Sequence, residues 1–260
     1  MEYSKILILG VNSSIASFVM PELGFDKDKV YGISHRAKVI NLPWIESKHV
    51  FVSDYPFDQK FIRKILKSLA PSATESILVI NFAGFFGAPV DIKNFEIDSV
   101  IDTLNKNMIQ FLSSIKLFSQ LPVRSFFIGF SGAGVGGDNL ESSSLGYLMS
   151  KISLAGGIEV LDKSFKDQGK RLTLIAPGAF PSNMQTVVAN SLIESVSEEV
   201  KVKVTELELD ESKIVKLAKA IDWVSNYPNQ AGGKIWSAQR DDFVTQIFSE
   251  KFGFLRRVIQ

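Results

Sequence analysis

The sequence contains no cysteine, which excludes disulfides, thiol nucleophiles and cysteine-ligated zinc. Its two histidines, His35 and His49, are too few for most histidine-based metal sites. No cluster of carboxylates points to a magnesium site, so no metal is expected. Neither sign of charge prevails: 29 Lys and Arg face 28 Asp and Glu, for a formal net charge of +1. The basic residues are scattered, leaving no footprint for nucleic acid or anionic lipid. Long hydrophobic runs are also missing. The longest, "ILVINFAGFFGAPV", is broken by Asn81, glycines and a proline, and is too short to span a bilayer. The opening "MEYSKILILG" lacks the basic start and apolar stretch of a signal peptide. The expectation is a cytoplasmic protein that binds neither nucleic acid nor membrane.

What is present is alternation. Seven apolar runs of strand length stand at 5–10, 29–34, 49–54, 76–84, 124–132, 171–178 and 233–238. Several are apolar at successive positions, as in strands buried on both faces of a parallel sheet. Segments of helical period separate them near 14–23, 57–69, 95–119, 147–167 and 212–226. The order predicts an α/β fold: a doubly wound parallel sheet of about seven strands flanked by helices, of Rossmann type. No linker, repeat or low-complexity tract divides the 260 residues, so residues 1–260 read as a single domain. The polar, charged segment 183–210 breaks the rhythm and is expected to be a lid over the site.

Ligands of such sheets bind beyond the carboxyl ends of the strands. The first strand runs into "GVNSSIA" (10–16), opening a helix whose first amides can face an anion. One glycine before a helix is common, and taken alone the loop reads as a tight turn. The fourth strand ends in "NFAG" (81–84), whose small residues let a backbone approach a flat ligand. After the fifth comes "FSGAGVGG", then "DNLESSSLGYLMSK", where Tyr147 and Lys151 stand four apart on one helix face. An isolated pair of this kind is ordinarily a surface feature. An ammonium beside a phenol nevertheless favours the phenolate, and the pair can then give and take a proton. The sixth strand ends in "APGAFPSNM", a proline–glycine turn followed by a hydroxyl.

Taken in order, "NFAG", "YLMSK" and "APGAFPSNM" make the chain resemble the short-chain dehydrogenases/reductases over nearly its whole length. The resemblance implies Tyr147 as general acid/base. It implies Lys151 as the residue that holds the nicotinamide ribose and lowers the phenol's pKa. Asn107 matches the family's asparagine that orders a proton-relay water. Ser131 is chosen as the serine that holds the substrate oxygen. The commoner form has two serines there, and Gly132 stands in place of the second. The gap from Ser131 to Tyr147 is longer than usual, leaving Ser143 and Ser144 as rivals.

For the cofactor, the resemblance implies the first loop, with Gly10, Asn12, Ser13, Ser14 and Ile15, and the strand ends. The shorter-chain pattern puts Gly10, Ser14 and Ala16 at the glycine positions, and the longer-chain pattern Gly10, Ser13 and Ala16. Asn81, Ala83, Gly84, Pro177, Gly178 and Ser182 complete the cofactor set with Tyr147 and Lys151, and Asp54 matches an aspartate near the adenine. The second strand ends in "SHR", with no acid for a ribose 2′-hydroxyl. Ser34 and Arg36 suit a 2′-phosphate, so NADP(H) is favoured and NAD(H) remains open.

The reaction implied is hydride transfer between nicotinamide and a small carbonyl or alcohol substrate. A nucleotide-sugar epimerase or dehydratase with retained NAD is one alternative; the short stretch after "APG" speaks against it. A catalytically silent dinucleotide-binding regulator is the other. Phe85, Phe86 and Phe180 fall near the implied pocket, although ordinary core aromatics are the expectation for them. The resemblance also implies a homodimer or homotetramer through the helices at 95–119 and 147–167, where Phe111, Ile115 and Phe118 can pack on a partner or face the sheet.

Overall fold

Consecutive apolar residues can be buried on both faces only in the middle of a layered structure, and the seven runs all join one central sheet, with β3 at its edge only partly buried. In this computed structural model the described residues are 3–35, 42–72, 74–87, 95–121, 124–132, 145–181, 210–246 and 248, with the backbone of 251–252 and 255–256. The strands are β1 (Lys5–Leu9), β2 (Val30–Ser34), β3 (Val50–Val52), β4 (Ile77–Asn81), β5 (Phe126–Phe130), β6 (Arg171–Ala176) and β7 (Ile235–Ser237). They form one parallel sheet in the order β3-β2-β1-β4-β5-β6-β7. β4 is buried at every position.

The helices α1 (Ser14–Leu23), α2 (Gln59–Leu69), α3 (Ile97–Ser119), α4 (Leu145–Lys166) and α5 (Glu211–Asn226) follow the expected segments closely. Their limits have local causes. Asp58 caps α2 by accepting from the Phe61 amide, and Asp210 caps α5 by accepting from the Ser212 amide. Ile62, Ile65 and Leu69, spaced by three and four, bury one side of α2. A four-residue helix, α6 (Pro228–Ala231), and a ribbon of β8 (Lys251–Phe252) with β9 (Leu255–Arg256) were not expected from the sequence. Several expected strands overran their true ends: β4 stops at Asn81 and β5 at Phe130, because the chain then leaves the sheet to build loops. Of the expected lid, 183–209 lies outside the described residues.

The core has two halves, one on each side of the sheet. α1 and α5 cover one side, and α2, α3 and α4 the other. Phe111, Ile115 and Phe118 belong to the second half, so they face the sheet and leave partner contacts to other residues. A buried ion pair braces α4 against β6. Arg171 Nη2 lies 2.8 Å from Asp162 Oδ2, and the same carboxylate accepts from the Leu172 amide at 2.8 Å. The chain leaves β1 toward β2 on one side and returns as β4 on the other. Strand order therefore reverses at β1, and the crevice between the loops after β1 and β4 is the place where this architecture receives ligands.

Candidate active site

That crevice is close-packed. Gly10 has φ 77°, in the region that favours glycine, and a Cβ there would lie 2.7 Å from the Ala83 amide nitrogen. The first loop and "NFAG" thus touch backbone to backbone, which explains why a glycine survives at 10 although serines replace the later ones. Asn81 shapes the second loop: its Oδ1 accepts from the Ala83 amide at 3.1 Å, and its Nδ2 donates to Ser114 Oγ at 3.3 Å. Gly84 is exposed beyond it. The Ser13 side chain makes no capping bond to α1, and no acid stands in the first turn, which begins Ser14–Ile15. The first-turn amides of α1 can therefore serve an anion.

The rim at β2 differs from the expectation in one respect. Ser34 is 1% exposed, and its hydroxyl accepts from Asn12 Nδ2 at 2.9 Å, so it points inward to the first loop. His35 is exposed beside it, while Arg36 lies outside the described residues. Asp54 is exposed just past β3, adjacent to the β2 end through the Ser53 amide bonded to the Ser34 carbonyl.

The catalytic candidates converge at the end of β5. Tyr147 and Lys151 lie on one face of α4, with the ammonium nitrogen 5.5 Å from the phenol ring centre. Lys151 Nζ donates to the Phe130 carbonyl at 3.0 Å, which ties it to the last residue of the strand. Next along the chain, the Ser131 side chain is buried and its Oγ has no hydrogen-bond partner among the described residues. A buried hydroxyl without a partner is costly, and a ligand oxygen would satisfy it. Gly132 faces the phenol itself: a Cβ there would fall 2.7 Å from Tyr147 Oη and 2.9 Å from Lys151 Cγ. The missing second serine is thus where the phenol lies. Phe86 packs on the Tyr147 ring at 5.1 Å between centres. Ser143 and Ser144 lie outside the described residues, as does Ser182.

The electrostatics correct one expectation. Burial of the hydroxyl end pushes Tyr147 up to about 12, and burial pulls Lys151 down to about 8. The phenol's shift is thus upward, opposite to the lowering expected, and its cause is loss of solvent. The phenol accordingly keeps its proton at neutral pH.

Asn107 is buried on α3 and fully engaged. Its Oδ1 accepts from the Phe85 amide at 2.9 Å, and its Nδ2 donates to the Phe85 carbonyl at 2.7 Å and to Ser150 Oγ at 3.1 Å. Ser150 in turn donates to the Tyr147 carbonyl at 2.6 Å. The amide therefore clamps the loop after β4 to α3 and α4. Beside it is a cavity of about 10 Å³, the scale of one water molecule, lined by Asn81, Asn107, Gln110 and Lys151 among others. Sequence reasoning missed Ser150 and Gln110. Their only signal was polarity at positions one turn from Tyr147 and Asn107 on inward helix faces.

Of the three aromatics near the mouth, Phe180 is a core residue at 3% exposure, as expected. Phe86 instead touches the phenol, and Phe85 is 40% exposed with Lys106 Nζ 4.6 Å above its ring. The proline–glycine turn is held by Gln239, whose Nε2 donates to the Pro177 carbonyl at 2.8 Å, while Gly178 has φ 92°. No helix among the described residues is long and apolar enough to cross a membrane.

No protein-family model matches the sequence, and no curated protein is similar to it. Solved structures are. A short chain dehydrogenase/reductase from Saccharomyces cerevisiae superposes with a TM-score of 0.71 at 17% identity, covering 94% of this chain and 100% of that one. A putative carbonyl reductase, Sniffer, of Caenorhabditis elegans gives 0.64 at 19% identity over 92% of this chain and 97% of that one. An NADH-dependent reductase solved with NAD gives 0.63 at 16% identity over 91% and 95%. The sheet order, the flanking helices and these superpositions agree: the chain has the fold of the short-chain dehydrogenases/reductases.

Proposed function

We propose that the chain is a short-chain dehydrogenase/reductase that uses a nicotinamide dinucleotide to interconvert a small carbonyl compound and its alcohol. The observation that carries this reading is the meeting of three groups at the end of β5. The Tyr147 phenol lies against Gly132, Lys151 is bonded to Phe130, and the buried Ser131 hydroxyl is without a partner among the described residues. The residues fit the cofactor: an uncapped α1 terminus and the Gly10–Ala83 contact suit its phosphates, and Pro177, Gly178 and Lys151 would hold its nicotinamide end. NADP(H) is favoured over NAD(H), since the β2 end offers no acid and Arg36 follows exposed His35. The similar reductase solved with NAD makes NADH the comparison to run.

The dinucleotide supplies or accepts the hydride when bound. This chain's residues handle the substrate oxygen and its proton. In the reducing direction Ser131 and Tyr147 hydrogen-bond the carbonyl oxygen, and the neutral phenol protonates it as negative charge develops. Lys151, with its pKa near 8, can resupply that proton. The small cavity lined by Lys151, Asn81 and Gln110 has room for one water, which would pass the proton onward. Asn107 contributes mainly by fixing the loop that carries Phe85 and Phe86.

The assembly proposed is a homodimer or homotetramer through α3 and α4. Ile97, Ile101, Ile109 and Leu112 form an exposed apolar stripe on α3, continued by Met149, Ile152 and Val160 on α4. A Cβ at Gly156 or Gly157 would meet no atom within 4 Å, so a neighbouring helix has room there. The test of the function is binding of NADPH and NADH by calorimetry, followed by turnover on a panel of aldehydes, ketones and alcohols. Binding and turnover are expected, with turnover lost in Tyr147→Phe; turnover that survives this substitution removes the assigned proton donor.

A further inference from the structure

Gln239 stands one residue beyond the pairing of β6 with β7, which the Ala238 amide extends by donating to the Ala176 carbonyl at 3.0 Å. The backbone that carries it is a closed turn. The Asp241 amide donates to the Ser237 carbonyl at 3.0 Å, and the Ser237 amide to Asp241 Oδ2 at 2.7 Å. From this fixed base the side chain reaches two other elements. Its Nε2 donates to the Pro177 carbonyl at 2.8 Å and to the Lys213 carbonyl, in the first turn of α5, at 3.3 Å. An amide nitrogen has two hydrogens, one for each carbonyl. The methylenes fill the place of a missing side chain: a Cβ on Gly178 would lie 2.6 Å from Gln239 Cγ. One residue thus joins the turn after β6 to the start of α5, the two ends of the stretch that contains 182–209.

We propose that Gln239 is a positioning residue for the nicotinamide end of the dinucleotide. It sets the Pro177–Gly178 turn at the height the ring requires and leaves the adenine end alone. The proposal rests on the dinucleotide reading above. The two ends are separable because β6 lies four strands from β2, about 19 Å at 4.7–4.9 Å per strand. Gln239→Glu keeps the length and shape but replaces the donor with a carboxylate facing two carbonyl oxygens. Gln239→Met keeps the length and removes the donor without adding charge.

The experiment is calorimetry of wild type and both variants with NADPH and with 2′,5′-ADP, the adenine-half fragment, with melting temperature recorded alongside. NADH and AMP replace them if wild type prefers NADH. The expected result is a roughly tenfold weaker affinity for the intact dinucleotide in both variants, with the fragment changed by less than about twofold. Equal weakening of both ligands, or no change in either, overturns the role, as does failure of both variants to fold. If wild type itself binds neither dinucleotide, the reading of the site falls first, and that outcome is distinct from the others.

Discussion

Against one face of the sheet, α1 and α5 bury aliphatic and aromatic side chains, with Ser225 the single buried polar residue on either helix. Trp223 and Trp236 meet at 4.9 Å there, and both also pack on Phe243 and Phe248. Against the other face, α3 and α4 bury Thr103, Asn107, Gln110, Ser150, Lys151 and Asp162 among their apolar residues. The first face gains stability from area removed from water and from close packing. The second gives up part of that gain to hold polar groups in place, and each must be satisfied or used. Those that are satisfied within the chain, such as Asn107, position the loop. The Ser131 hydroxyl, which has no partner among the described residues, and Lys151, depressed by burial, are those the proposed chemistry uses.

Substitutions on the two faces should therefore separate activity from stability. The largest effect is expected for Tyr147→Phe, which should lower kcat about 10²–10⁴-fold with dinucleotide affinity nearly unchanged. Steady-state kinetics beside calorimetry check it, and a fall confined to KM would contradict it. On the apolar face, Trp236→Ala should cost about 3–5 kcal/mol of stability by leaving a cavity beside Trp223. Denaturant titration measures this, and turnover per folded molecule should hold; a selective loss of turnover would erase the distinction between the faces.

Asn107→Ala is expected to fall between these. It leaves the Phe85 amide and carbonyl without their partner, at about 2–3 kcal/mol, and releases the loop that carries Phe86 onto Tyr147. Both stability and kcat should drop, and a drop in stability alone would confine Asn107 to a structural part. The smallest effect concerns pH. Lys151 titrates near 8 when folded and near 10.5 when unfolded, so the unfolded chain binds more protons between these values. Stability should therefore rise between pH 8 and 10, by about 2 kcal/mol. Above pH 10 it should fall, because burial lets Tyr3, Tyr55 and Tyr147 keep their protons in the fold beyond the pH at which the unfolded chain loses them. Lys151→Met should abolish the rise; an unchanged slope would mean that the lysine is not the titrating group.

Much of this was legible in the chain. Consecutive apolar residues located all seven strands, and three-and-four spacing located α1 to α5 almost to their ends. Tyr147 and Lys151 share a face because they are four apart on a helix, which is arithmetic of the backbone. The direction of the phenol's shift was not legible, since it depends on how far burial removes water from both groups. Nor was the inward turn of Ser34, the clamp made by Asn107, or the contact of Gly132 with a phenol fifteen positions further on. Each of these pairs residues that only packing brings together.

The sequence by itself determined the periodicities, hence the strands, the helices and their alternation, because these follow from which residues avoid water and at what spacing. It also supplied a phenol and an ammonium one helical turn apart. Tertiary structure alone decided which polar groups lost their water and which found partners. That depends on distances between strand ends far apart in the chain, and it sets the charge each group carries.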